Sequence, residues 1–300
     1  MIIKLIHEAT SPITHMSGTS GNEAILNRES KIYDGEVIQV PLLSGNALRH
    51  KMIREPGAVN LIKSLALTKK LTINQVNFLL HGGKLTETST TDNMKTIVDM
   101  RRLFPLYHLL GGSLRNQILE GSMISGRGVL ICRENNDVLR DMFPEFEFSK
   151  LSSAENFISN YQYTRGSERK HSDLIADKEV FEDKSNAMIF SGQSIIPGSL
   201  FVSEIILKEP SEMLLSCVNY CLSNWQSLGG IIGGQSSRGH GKLSTTVYEN
   251  QLPDTDIYLK HVESVKDESI NWLNEQFKEA EKKSKSKKSD ENQGELDETD

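Results

Sequence analysis

Hydrophobic and polar residues alternate over residues 2–10, which predicts a first strand. Residues 11–34 are polar and glycine-bearing and read as a long loop, followed by a short β-like run at 36–42. In "SGNALRHKMIREPG" Leu48 and Met52 recur at helical spacing, Ser44 can cap the start, and Pro56-Gly57 is expected to end the helix. Residues 71–80 predict a second helix closed by "HGG", and residues 84–93, rich in Thr and Ser, a loop. The pattern over 93–110 is helical in parts, interrupted at Pro105 and stopped by Gly111-Gly112. Residues 117–132 hold β-type segments around Gly126 and Gly128. Residues 133–185 are charged, with scattered aromatics, and read as an inserted, partly irregular subdomain. Regular structure returns as two strands around Pro197-Gly198. In the second, Phe201, Ser203, Ile205 and Leu207 alternate with Val202, Glu204, Ile206 and Lys208. The clearest helix, 211–228, carries one stripe of Leu214, Cys217, Val218, Cys221, Trp225 and Leu228. A glycine-rich loop and the strand "KLSTTVYE" follow, then an exposed helix at 266–283 and a tail at 284–300 with too little apolar surface to fold.

Stripped of insertions, this is strand, helix, strand, strand, helix, strand: an α+β fold in the ferredoxin-like order, which RNA-recognition domains also use. Residues 1–265 would form the core with its insertions.

Composition narrows the function classes. There is no run of about 18 apolar residues, so nothing predicts a membrane span. "MIIKLIHEAT" lacks a cleavage site and reads as a strand, not a signal peptide. Cys132, Cys217 and Cys221 are odd in number and form no C-x-x-C, which argues against a disulfide framework or a four-cysteine zinc site and fits a reducing cytoplasm. Cys217 and Cys221 lie on an apolar helical face and are expected to pack in the core. His7 and His15 are too loosely spaced for a metal pair, so no metal or cofactor is expected. The net charge of −6 argues against a nucleic-acid binder, which usually has a basic surface. The basic residues are clustered, however. Arg49, Lys51 and Arg54 fall in one stretch without acids, and Arg101 and Arg102 belong to a second basic region, so a local basic groove on an acidic body fits.

Two motifs carry candidate chemistry. "GGIIGGQSSRGHGKL" is not a Walker loop, because His240 follows Gly239 where a lysine is needed, and Lys242 is followed by Leu243. A dinucleotide fingerprint needs a strand before and a helix after, and here the order is inverted. What remains is either a plain glycine turn or a loop whose backbone N–H groups approach an anion, joined by Gln235, Ser236, Ser237, Arg238, His240 and Lys242. In the second motif, Ser44 and Asn46 can offer donors at a helix N-terminus, with Arg49, His50, Lys51 and Arg54 along its exposed side. The alternative there is a capped amphipathic helix with a solvated basic face.

"VPLLSGNALRHKMIRE" followed much later by "GGQSSRGHGKL" resembles the backbone subunits of CRISPR effector complexes, members of the repeat-associated mysterious protein superfamily. "FPLYHLLGGSLRNQILEGSMISGRGVLICREN" and "YQYTRGSERKHSDL" are similar to members of type IV and related type I systems. The resemblance covers roughly residues 1–250. It implies a modified RNA-recognition fold with inserted fingers (84–93) and a thumb (133–185). It also implies that several copies stack along one guide RNA, with other effector subunits, and present it to a target nucleic acid. Arg165, Arg169, Lys170 and His171 would be thumb contacts to RNA, and Phe157, Tyr161 and Tyr163 either stack on bases or pack within the subdomain. Some relatives cut target RNA with an aspartate in the loop after the first strand. Here no aspartate matches, and Glu23 is the nearest candidate for that alternative ribonuclease reading.

Overall fold

Strand β1 (Ile2–Ala9) buries Ile3, Leu5, His7 and Ala9 on one face and exposes Ile2 and Glu8. The structure is a computed structural model that describes residues 1–20, 23–85, 93–147, 150–164 and 189–277. The expected long loop after β1 contains three strands instead: β2 (Met16–Ser20), β3 (Glu23–Leu26) and β4 (Arg28–Tyr33). Among their side chains whose burial is described, only Ala24 and Leu26 of β3 are buried, so the hydrophobic pattern hid them. β4 turns into β5 (Glu36–Leu43) through Asp34-Gly35, both at positive φ (51° and 80°), the geometry of a two-residue hairpin turn.

The next helix does not stop at Pro56. α1 (Gly45–Leu48) passes into a π-helical segment, Arg49–Arg54, and on into α2 (Glu55–Ser64). Glu55 N–H donates to the His50 carbonyl, five residues back. Pro56 follows in the first turn of α2, where the wider turn accommodates a ring that lacks an N–H. α3 (Ile73–His81) starts on a Thr72–Gln75 capping box and ends at Gly82 (φ 87°). The chain continues through β6 (Gly83–Leu85), α4 (Met94–Leu103), α5 (Pro105–Leu110), β7 (Gly112–Arg115), β8 (Gln117–Leu119), β9 (Met123–Ser125), β10 (Gly128–Leu130) and α6 (Asn136–Met142). It then forms β11 (Ile158–Thr164), β12 (Ile189–Ile195), β13 (Leu200–Leu207), α7 (Glu212–Ser227), β14 (Leu243–Tyr248), α8 (Thr255–Ser264) and a last helix, α9, over residues 266–277.

The main sheet has the order β14-β1-β13-β10-β5-β4, with β9 also paired to β13. β1 is antiparallel to both β13 and β14, and β10 is antiparallel to β13. The α+β architecture thus interleaves two strand–helix–strand units, β1 to β10 and β13 to β14. One core joins Ile3, Leu5, Phe201 and Ile205 to Met52, Ile53, Cys217, Cys221 and Trp225 from the helices. A smaller one packs Leu139 and Phe143 of the α6 region on Val129 and Val202. All three cysteines are free and buried.

The last helix departs from expectation. Trp272, Leu273 and Phe277 are buried, and Trp272 meets Phe104 at 5.4 Å and Phe78 at 6.3 Å between ring centroids. Charged residues surround this narrow stripe, which made the helix look solvent-exposed in sequence. Residues 278–300, including the tail, lie outside the described set.

His7 is fully buried in the sheet, its two ring nitrogens bonded to Thr245 Oγ1 (2.7 Å) and Ser203 Oγ (2.8 Å). Burial pushes its pKa from 6.5 down to about 4. A folded-state pKa below the unfolded one gives stability that is present above the unfolded value and lost as pH falls toward the folded one. Between pH 7.5 and pH 5 the loss should reach about 2 kcal/mol. Urea midpoints at the two pH values, compared with those of His7→Gln, measure it. An equal acid loss in the variant would assign the effect to other groups.

Candidate nucleic-acid interface

The glycine-rich loop and the "SGNALR" helix meet through a tripeptide that joins β1 to β2: Ile13, Thr14 and His15, all buried. Ile13 bridges to Ile195 of β12, and Thr14 bridges to Gly234. Gly234 N–H donates to the Thr14 carbonyl (2.7 Å), Gly241 N–H to that of Pro12 (2.8 Å), and Lys242 N–H to Ser11 Oγ (2.9 Å). Thr14 Oγ1 also lies 2.7 Å from His240 Nδ1. On the other side, Ser44 N–H donates to His15 Nε2 at 3.0 Å. A backbone N–H can only donate, so Nε2 is the acceptor and the ring is neutral, in agreement with the lowering of its pKa by burial. Ser44 then caps α1 by accepting from Ala47 N–H (3.3 Å). Gly45 fits because a Cβ there would come within 2.7 Å of the Ser125 carbonyl oxygen. Two motifs far apart in sequence therefore share one short anchor.

The loop's glycines mostly serve backbone packing. A Cβ on Gly233 (φ 75°) or Gly241 (φ 91°) would fall closer than 3.0 Å to the carbonyl oxygen of Thr14 or Ile232 respectively. What the loop presents outward is a short 3-10 turn: Ser236, Ser237 and Arg238 are exposed, as is Lys242 beyond it. Arg238 donates to Gln235 Oε1, and its guanidinium carbon sits 3.8 Å from the Tyr163 ring centroid. His240 meets Tyr161 edge-on at 5.3 Å. Both tyrosines belong to β11, which pairs with β12 in a second sheet of order β11-β12-β3-β2. Phe157 instead packs against the main core.

The basic helix is arranged differently from expectation. Asn46 is exposed, but Arg54 is only 7% exposed. Its guanidinium lies against Gly82, where a Cβ would come within 3.2 Å of it, and burial followed by the Arg49 charge lowers its pKa. Arg49 donates to the Leu110 carbonyl at the end of α5. Lys51 pairs with Glu55 at 2.6 Å, and His50 stands 3.9 Å from the same carboxylate. The i→i+5 turns of residues 49–54 rotate side chains away from the 3.6-residue spacing, so a face drawn on an α-helical wheel is not the exposed face. Arg102 is paired with Glu268 of α9 and Arg101 reaches the Glu120 carbonyl (3.5 Å). Among the described residues, no hydrogen bond or ion pair joins these two to the glycine loop. Arg165, Arg169, Lys170 and His171 fall outside the described residues, as do 86–92 of the proposed finger.

Glu23 opens β3, exposed, opposite Ser20 on one side and Ser191 on the other. It is in a strand, not a loop. Among the described residues no three His, Cys, Asp or Glu side chains gather closely enough to hold a metal ion, and no helix is long and apolar enough to cross a membrane.

No protein-family model and no curated protein matches the sequence. The fold is similar to that of a solved chain of a Type IV-B CRISPR complex, with a TM-score of 0.59 over 85% of this chain and 96% of that one at 16% identity.

Proposed function

We propose that this chain is a guide-RNA-binding backbone subunit of a CRISPR effector complex, assembling with further copies of itself and with other effector subunits. The observation that carries the reading is the likeness to the CRISPR-complex chain, which extends over nearly all of that chain. The anchoring of the glycine loop and the Ser44 helix to Thr14–His15 supports it: two elements that can bear anion-binding groups are tied to one short segment.

On this reading Ser236, Ser237, Arg238 and Lys242 of the loop and Asn46 of the helix hold RNA phosphates. Such contacts fix the register and path of the RNA and leave sequence to base pairing with the target. Arg165, Arg169, Lys170 and His171 are further candidates for the same backbone. Arg49 supports the helix by donating to the carbonyl end of α5, and the buried Arg54 guanidinium packs against Gly82. The acidic body keeps nonspecific attraction low, so RNA is held where the cations are grouped.

The test is direct. Protein purified under mild salt should carry RNA, seen in its absorbance ratio, and run as a ladder of oligomers. A monomer free of nucleic acid that also ignores added single-stranded RNA at low salt would sink the reading. Within it, Arg238→Ala with Lys242→Ala should weaken binding across RNA sequences alike and reduce the slope of log K against log salt by about 1.4, two single-strand phosphate contacts. An unchanged slope would remove the loop from the phosphate path.

A further inference from the structure

The ribbon of β11 and β12 lays three aromatic rings on one surface beside the glycine loop. Tyr163 and Phe190 are directly opposite in the antiparallel register, with centroids 5.2 Å apart and planes 12° from parallel. Tyr161, two residues earlier and so on the same face, lies 6.4 Å from Tyr163 with planes at 5°. Opposite Tyr161 is Gly192, where a Cβ would come within 2.6 Å of the tyrosine hydroxyl, so the glycine lets the ring lie across the ribbon. The His240 edge fixes Tyr161 from the loop side.

Core packing does not account for this strip. Tyr161, Tyr163 and Phe190 belong to neither hydrophobic cluster, and each stays partly open to solvent. The face of Tyr163 is covered by a planar cation from an exposed residue, Arg238. A guanidinium at 3.8 Å occupies the position that a stacked base would take.

We infer that the Tyr161–Tyr163–Phe190 strip is a stacking seat for an unpaired nucleobase of single-stranded RNA. The base takes the place of the Arg238 guanidinium on Tyr163, and Arg238 turns to the flanking phosphate. This rests on the RNA-binding reading above. Every base has a π face, so the seat is tolerant of sequence and holds bases by shape.

The experiment uses the full chain and two probes of equal length: a mixed-sequence single-stranded RNA, and the same ribose-phosphate chain made fully abasic. Tyr163→Leu should weaken binding of the intact RNA about 10-fold and leave the abasic chain's affinity unchanged, while Tyr163→Trp should restore the intact RNA. Equal losses on both probes would mean that Tyr163 only supports the fold, and no loss on either would mean that the strip meets something other than RNA. Either result overturns the seat. The wild-type protein separates the two ideas: failure to bind the intact RNA at all defeats the RNA-binding reading itself.

Discussion

Gly241→Ala is expected to lower the stability of the protein by about 4 kcal/mol, the sum of a left-handed backbone forced on an L-residue and a clash with packed backbone. Gly241 has φ 91°, is buried, and gives its N–H to Pro12 while its own carbonyl accepts from Ile232 N–H at 2.8 Å. A methyl group there has no flexible neighbour to push aside, because the nearest atom is the Ile232 carbonyl oxygen. Gly239 is the internal control. It has a similar φ, 85°, yet nothing stands within 4 Å of the position of its Cβ. Gly239→Ala should therefore cost only the backbone term, about 1 kcal/mol. In thermal unfolding the Gly241 variant should melt about 10 °C below wild type and the Gly239 variant within a few degrees of it. Equal shifts would show that the loop does not dock on the Pro12–His15 segment as described.

The contrast between these two glycines shows what was legible in the sequence. The positions of β1, β13 and α7 could be read because their side chains alternate or recur against a deep core. The glycine loop could be found, but not its reason. "GGIIGG" suggests open backbone N–H groups, whereas Gly233, Gly234 and Gly241 are engaged with the backbone of Pro12 to His15 and of Ile232. That packing partner lies more than two hundred residues away in sequence and carries no motif. Thr14 was missed for the same reason, and His15 stood out only as a poor metal ligand. A usable signal existed for the β4–β5 hairpin: Asp34-Gly35 sits between Ile32-Tyr33 and Val37-Ile38, a two-residue turn flanked by strand-forming residues. The inward turn of Arg54 had no such signal, because a π-helical segment leaves no mark in hydrophobic periodicity.

Trp272→Ala should cost about 4 kcal/mol, as expected for emptying a buried aromatic site. The indole sits at 6% exposure between Phe78 and Phe104, and Phe277 meets Phe78 at 5.8 Å on the same side. Through these rings α9 is a wall of the main core, closing over α3 and the α4–α5 junction. Polar contacts at its two ends guide it: Glu268 pairs with Arg102, and Arg115 Nε donates to the Gln276 carbonyl at 3.2 Å. The first of these is solvent-exposed on both partners, so Arg102→Ala should cost no more than about 1 kcal/mol. Denaturant titration of the two variants therefore asks whether apolar burial or surface charge holds the helix. A larger loss for Arg102→Ala than for Trp272→Ala would return α9 to the exposed helix that its charges suggest. With the losses in the expected order, Arg102 is committed to α9, whereas Arg238 and Lys242 of the glycine loop form no ion pair with any described carboxylate and stay free for the phosphate contacts proposed above.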